Sequence, residues 1–207
     1  DPDLRAKSLA AFSGELKSSQ ELGIDGIVSH TGNFIDDHDA GLERNAAAIT
    51  EALRAVPGEV MVFLETTAGT GTVLGRTFEE LRDIRGLIGA YVRDLVSFCA
   101  DTCHLYSAGY DLVNDFDGVW AAWDRIIGLA HLRCLHLNDS KNPFASKKDR
   151  HELIGDGSLG TEPFRRIMTD RRFAQIPKLL ETPKGDDDEV TNDRRMLALL
   201  RSFGEPN

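Results

Sequence analysis

Leu132-Arg133-Cys134-Leu135-His136-Leu137-Asn138-Asp139-Ser140-Lys141 is the stretch on which the fold of this chain turns. Leu132 to Leu135 is a short apolar run, read as a buried strand, and it ends at a histidine. Downstream comes Asp149-Arg150-His151, leading into Ile154-Gly155-Asp156-Gly157. Two imidazoles and two carboxylates therefore fall within sixteen residues. Asp149 and His151 alternate, so extended backbone would point both side chains the same way. Gly155 and Gly157 read as a tight turn. Upstream, Asp101-Thr102-Cys103-His104 repeats the pairing of a carboxylate with an imidazole. Histidine and carboxylate together suit zinc, manganese or iron.

The same strand pattern recurs on both sides. Runs at Ile24 to Ser29, Val60 to Leu64, Val96 to Ala100 and Lys178 to Leu180 read as strands. They end at His30, Glu65, Asp101 and Glu181. Helical periodicity covers Leu4 to Glu21, Leu42 to Ala55, Phe78 to Leu95, Phe116 to Leu129, Pro163 to Asp170 and Asp193 to Ser202. Strands alternating with helices predict a parallel α/β sheet. In a parallel sheet the carboxyl ends of the strands share one face, and on a (β/α)8 barrel that face holds the active site. A metal-competent residue at that end of every strand predicts one shared centre. With His104, Asp149 and His151 the candidate ligands number eight, too many for one tetrahedral zinc and suited to a cluster.

Composition sets the outer bounds. At 207 residues, 41% hydrophobic and 28% charged, the chain is expected to form one globular domain, 1–207, with a sizeable core. No apolar run would span a membrane, and no signal-peptide pattern opens the chain. The three cysteines, Cys99, Cys103 and Cys134, make no disulfide framework and read as buried thiols in a reducing, cytoplasmic setting. A net charge of −10 argues against broad electrostatic binding of nucleic acid, but bound cations would reverse the local sign where the carboxylates converge. Lys141, Lys147, Lys148 and Arg150 form a basic patch between two ligand segments, and Arg150 and Lys141 are the candidate phosphate contacts.

Other polar clusters have plainer readings. Asp36-Asp37-His38-Asp39 reads as a solvated loop at a helix start. Asp186 to Glu189 reads as a solvated approach to the last helix. His131 is expected to be structural. Asn138 and Asp139 are expected to order His136.

The assembled motifs resemble the endonuclease IV family of apurinic/apyrimidinic endonucleases. The segments that carry the resemblance are Phe63-Leu-Glu65-Thr-Thr-Ala-Gly69-Thr-Gly71, Cys99-Ala-Asp101-Thr-Cys-His104 with Ala108-Gly-Tyr-Asp111, and His136-Leu-Asn-Asp-Ser-Lys141. Asp149-Arg-His151, Ile154-Gly-Asp-Gly157, Leu159-Gly160 and Leu180-Glu181-Thr-Pro183 extend it. The resemblance implies an α/β fold of TIM-barrel type, (β/α)8, present here as a partial barrel of the C-terminal five βα units. About three further βα units, and one more histidine ligand, are expected ahead of Leu4. It also implies a zinc-dependent endonuclease of base excision repair. Such an enzyme hydrolyses the phosphodiester 5′ to an abasic site and leaves a 3′-hydroxyl.

By the same resemblance Glu65 bridges two zinc ions and His30 binds the first. Asp101, His136 and Glu181 complete the second, and His104, Asp149 and His151 hold the third; manganese could replace zinc at one position. Glu65 and Glu181 are the implied catalytic residues. The implied partner is double-stranded DNA with abasic or 3′-blocked lesions, met by a monomer. Where the family usually carries Pro after the first-strand histidine and Asn after the bridging glutamate, this chain has Thr31 and Thr66. Two other readings fit the strand-end pattern. One is a metal-dependent sugar isomerase or epimerase of the same barrel class. The other is a partial chain that binds metal without turnover.

Overall fold

The computed structural model of the protein describes residues 2–35, 37–185 and 191–204. The acidic run at Asp186 to Glu189 and Asp36 of the histidine loop lie outside the described residues. Five strands form one parallel sheet: β1 (Gly26–Ser29), β2 (Met61–Glu65), β3 (Val96–Asp101), β4 (Leu132–His136) and β7 (Lys178–Leu179). Their order is β1-β2-β3-β4-β7, so each crossover returns the chain beside the strand it left. Between β4 and β7, β5 (Asp139–Ser140) and β6 (His151–Glu152) form a small antiparallel pair.

Burial follows position in the sheet. Every residue of the central β3 is buried, as for a parallel strand covered on both faces. All four residues of β1, at the edge, are only half-buried. Helices α1 (Pro2–Leu22) and α2 (His38–Ala55) cover the β1 end. α2 buries Leu42, Ala46, Ile49 and Leu53, the spacing of one helical face. Helix α5 (Phe116–Ile126) buries Phe116, Val119, Trp120 and Trp123 in the same way. Trp123 meets Phe98 of β3 edge-on at 6.2 Å between ring centres, and Phe173 lies 4.6 Å from Trp120. These rings tie α5, β3 and the segment before β7 into one apolar core.

Two helices are shorter than their periodicity predicts. α3 runs Phe78–Leu87, not to Leu95. Ile88 leaves the helix at ψ 140 to bury its side chain, and Arg93 then donates to the Gly86 and Ile88 carbonyls. α5 stops at Ile126, where Gly128 takes φ 94. One helix had no periodic signal: α4, Thr102–Ala108, spans seven residues. It exists because Asp101 caps its first turn, accepting from the His104 N–H at 2.8 Å, and Gly109 closes it at φ 110.

Asp139 corrects the expectation that it orders His136. It lies fully buried and accepts four backbone N–H groups instead. Ser140 and Leu159 donate to Oδ1 at 2.7 and 2.8 Å, and Gly155 and Gly157 donate to Oδ2 at 3.0 and 3.2 Å. The turn needs glycine at both places: Gly155 adopts φ 89, and a Cβ on Gly157 would sit 2.5 Å from the Asp139 carboxylate. Asp139→Ala is expected to destabilise the protein by about 2–4 kcal/mol, since several buried donors lose their acceptor. Urea unfolding measures this, and an unchanged midpoint would show that the carboxylate does not hold the turn.

His38, predicted to sit in a solvated loop at a helix start, does open α2, but its ring is bonded: the nitrogens contact Asp39 at 3.1 Å and Glu80 at 3.0 Å. Glu80 is buried and also accepts from the Gly75 and Arg76 N–H groups. The pair pins the loop after β2 against α3 and takes no part in the centre described next. His131 packs edge-on against Phe98.

Candidate metal centre

The carboxyl edge of the sheet gathers the polar residues that end its strands. Glu65, Asp101 and His136 are the last residues of β2, β3 and β4; His30 follows β1 directly, and Glu181 follows β7 by two residues. His104 arrives on α4, His151 on β6, and Asp149 from the loop before β6. All eight predicted ligands converge here.

Glu65 sits at the middle. Its Oε2 lies 3.0 Å from His30 Nε2, and its Oε1 lies 2.8 Å from His136 Nδ1. The carboxylate thus divides its oxygens between two neighbours, as a bridging ligand must. His136 Nδ1 is also 3.2 Å from Glu181 Oε2 and 4.0 Å from Asp101 Oδ2. On the other side Asp149 reaches His104 Nε2 at 3.2 Å and His151 Nε2 at 3.4 Å. His151 Nε2 lies 3.7 Å from Asp101 Oδ2.

The groups overlap. Glu65, Asp101, His136 and Glu181 bring their ligand atoms within 4.8 Å of one another, as do His30, Glu65 and His104, and Asp101, His104 and His151. Glu65 Oε1, His104 Nε2, His136 Nδ1 and His151 Nε2 are buried and make no well-oriented hydrogen bond. Buried polar atoms are normally satisfied, so close donor atoms without hydrogen-bond angles fit a cation between them.

The charges reinforce this. Burial alone would push the His136 imidazole down, but Cys134, Glu181 and Glu65 hold it up at about 12. His104, against the same burial, is raised to about 10 by Asp101, Asp149 and Glu65. Burial would raise the Glu65 carboxyl, yet His136 and His30 bring it down to about 2. The centre is an anionic pocket whose carboxylates attract positive charge, and protons and cations compete for the same imidazoles.

Neighbours orient the ligands. His104 Nδ1 meets the Thr66 carbonyl at 2.8 Å, which directs Nε2 into the centre, and His151 Nδ1 meets the Glu181 carbonyl at 3.1 Å. The Thr66 hydroxyl accepts from the Asp101 N–H at 2.9 Å. Threonine at this position therefore has an orienting role of its own.

Asn138 also departs from expectation. It orders not His136 but two carboxylate residues: Nδ2 donates to Asp101 Oδ2 at 2.6 Å, and Oδ1 accepts from the Glu181 N–H at 2.8 Å. Thr102 holds its backbone at both the N–H and the carbonyl. The position of Asn138 two residues after His136 marks it as an orienting residue, but its partners Asp101 and Glu181 come from segments 37 and 43 residues away. Asn138→Ala is expected to weaken metal affinity by about 10–100-fold. A competition titration against a chromophoric chelator checks this, and unchanged affinity would mean that the carboxylates orient themselves.

Beside the centre a cleft of about 620 Å³ is lined by His30, Thr67, Thr70, Asn142, Lys148, Asp149 and Arg150. The loop carrying Lys148 is pinned to α4, with the Lys147 N–H on the Ser107 carbonyl and the Ser107 hydroxyl on the Lys148 carbonyl. Arg150 and Lys148 face this cleft; Lys141 is exposed and is not among its lining residues.

Known proteins share this architecture. Residues 1–203 match the family described as xylose isomerase-like TIM barrel. A probable endonuclease 4 of Trichlorobacter lovleyi is 50% identical over 205 residues, which are 97% of this chain and 72% of that protein. The corresponding protein of Geobacter sulfurreducens is 49% identical, over 96% of this chain and 69% of its own length. The crystal structure of endonuclease IV from Thermus thermophilus superposes with a TM-score of 0.81 at 33% identity, covering 95% of this chain and 69% of that one. A D-tagatose 3-epimerase-like protein superposes at 0.72 with 16% identity, a likeness of fold alone.

Proposed function

This chain belongs to the endonuclease IV family, within the xylose isomerase-like TIM barrels, and we propose from that premise that it acts as a zinc-dependent endonuclease of DNA base excision repair. The reaction is hydrolysis of the phosphodiester 5′ to an abasic site, with a 3′-hydroxyl and a 5′-deoxyribose phosphate as products. The observation that carries the reading is the convergence of ligand atoms within 4.8 Å in overlapping groups, including four buried atoms without a hydrogen bond.

In this reading His30 and Glu65 hold one zinc ion, Glu65, Asp101, His136 and Glu181 a second, and His104, Asp149 and His151 a third. Bound zinc lowers the pKa of water and neutralises charge on the attacking and leaving oxygens of an in-line displacement. Glu65 keeps two neighbouring groups in fixed relation through its divided oxygens. Glu181, half exposed at the mouth, positions the attacking water. Arg150, with Lys148, contacts backbone phosphate in the adjoining cleft, and Lys141 adds charge further out. Local cationic character at the cleft and the metals offsets the net charge of −10 toward double-stranded DNA.

The test is incision of a duplex holding one tetrahydrofuran abasic analogue by zinc-loaded protein. The expected product carries a 3′-hydroxyl that a polymerase extends. Turnover of a ketose without incision would replace this reading with the isomerase one.

A further inference from the structure

Beside the carboxylate centre lie two thiols that belong to none of its ligand groups, and Cys99 pairs in register with Glu65. β3 and β4 pair with Cys99 opposite Cys134 and Asp101 opposite His136. That register is not the one in which the strands begin. Phe98 faces Leu132, and the pairing then shifts so that Arg133 is passed over. A bulge re-aims side chains in this way; without it Cys99 would oppose the exposed Arg133. Alternation along each strand places Cys99 on the face of Asp101, and Cys134 on the face of His136.

Cys99, Cys134 and His136 are 0%, 3% and 4% exposed. Their two sulfurs and one ring nitrogen lie within 4.8 Å of one another. Both thiols are free. The third cysteine, Cys103, is elsewhere: it sits on α4 with its sulfur 3.6 Å from the Arg150 carbonyl.

The donor set differs in kind from the one beside it. The carboxylate centre offers hard and intermediate ligands, whereas two thiolates and one imidazole select soft cations. Burial on this scale leaves little room for water as a further ligand. We propose that Cys99, Cys134 and His136 form a second, thiolate-rich metal site that takes a thiophilic d10 cation such as Cd2+ or Cu+. On binding, each thiol gives its proton to solvent and its sulfur lone pair to the cation, and no electron is transferred. His136 belongs to both groups, so a cation held by the thiols engages a ring that also faces Glu65 and Glu181. The site stands on the register of β3 and β4 and does not rest on the hydrolytic reading.

The probe is Cd2+ alone, added to the metal-free chain under reducing conditions. An ultraviolet thiolate-to-cadmium charge-transfer band is expected in the wild-type chain and in Cys103→Ala. It is expected to be lost in Cys99→Ala and Cys134→Ala, each first shown to be folded by circular dichroism. A second measurement needs no variant: the 113Cd resonance of the wild-type complex should include one shifted into the range of mixed sulfur and nitrogen ligation. A wild-type chain without the band, cadmium resonances confined to the oxygen and nitrogen range, or a band that persists in Cys134→Ala overturns the site.

Discussion

Glu65→Gln is expected to lower incision of the abasic duplex by about a thousandfold or more, a loss of at least ~4 kcal/mol of transition-state stabilisation. The size follows from where the side chain sits. Glu65 is buried, and its two oxygens face His30 at 3.0 Å and His136 at 2.8 Å. Glutamine keeps the shape but loses the charge, and turns one of the two acceptors into a donor aimed at an imidazole. In the proposed assignment two metal groups share this residue, so both would be damaged at once, while the ion assigned to His104, Asp149 and His151 would be kept. Metal analysis of the variant should therefore show a partial loss of zinc, not a complete one. Asp149→Asn is the useful contrast, because it touches only that third group. Undiminished incision by Glu65→Gln at full zinc content would defeat the proposed role of the carboxylate.

Zinc loading is expected to raise the melting temperature of the metal-free chain by roughly 5–10 °C. Binding to the folded state alone stabilises by about 2.7 kcal/mol when free zinc is a hundredfold above its dissociation constant. For a chain of this length each kcal/mol moves the midpoint by about 2–4 °C. The physical source is the crowding of Glu65 and Asp101, both buried, beside Asp149 and Glu181. Without a cation these charges are balanced in part by protons on imidazoles that burial disfavours. Magnesium at the same concentration should have a much smaller effect, because it prefers oxygen ligands in octahedral geometry and the groups here are rich in imidazole. Differential scanning calorimetry with zinc, magnesium and chelator makes the comparison. Equal midpoints in zinc and chelator would show that the centre does not hold zinc tightly in the folded chain.

The strand ends were legible because parallel strands are covered on both faces. They read as short apolar runs, and the first polar residue after each run marks the carboxyl edge. His30, Glu65, Asp101, His136 and Glu181 could be named on that ground alone. His104 could be named as a candidate, but not its carrier. A seven-residue helix has too few turns for a periodic signal, and α4 depends on Asp101 acting as cap and candidate ligand together. Asn138 and Asp139 lie two and three residues past a candidate ligand, and that closeness in sequence suggests that both serve it. In the fold they serve other partners, because which acceptor a buried amide finds depends on neighbours brought from distant segments. The pairing of His38 with Glu80, 42 residues apart, was invisible for the same reason.

The sequence by itself determined the alternation of strands and helices, and with it the parallel sheet and the edge on which the chemistry must lie. Local periodicity and the residue after each apolar run suffice for that, since both are properties of a few consecutive side chains. The tertiary structure alone decided how the donors share one another: that Glu65 divides its oxygens between His30 and His136, and that Asn138 ties Asp101 to Glu181. It also decided that a bulge past Arg133 sets Cys99 against Cys134. Those relations depend on register and close approach between segments far apart in the chain. A one-residue shift in pairing changes them while leaving every local pattern intact.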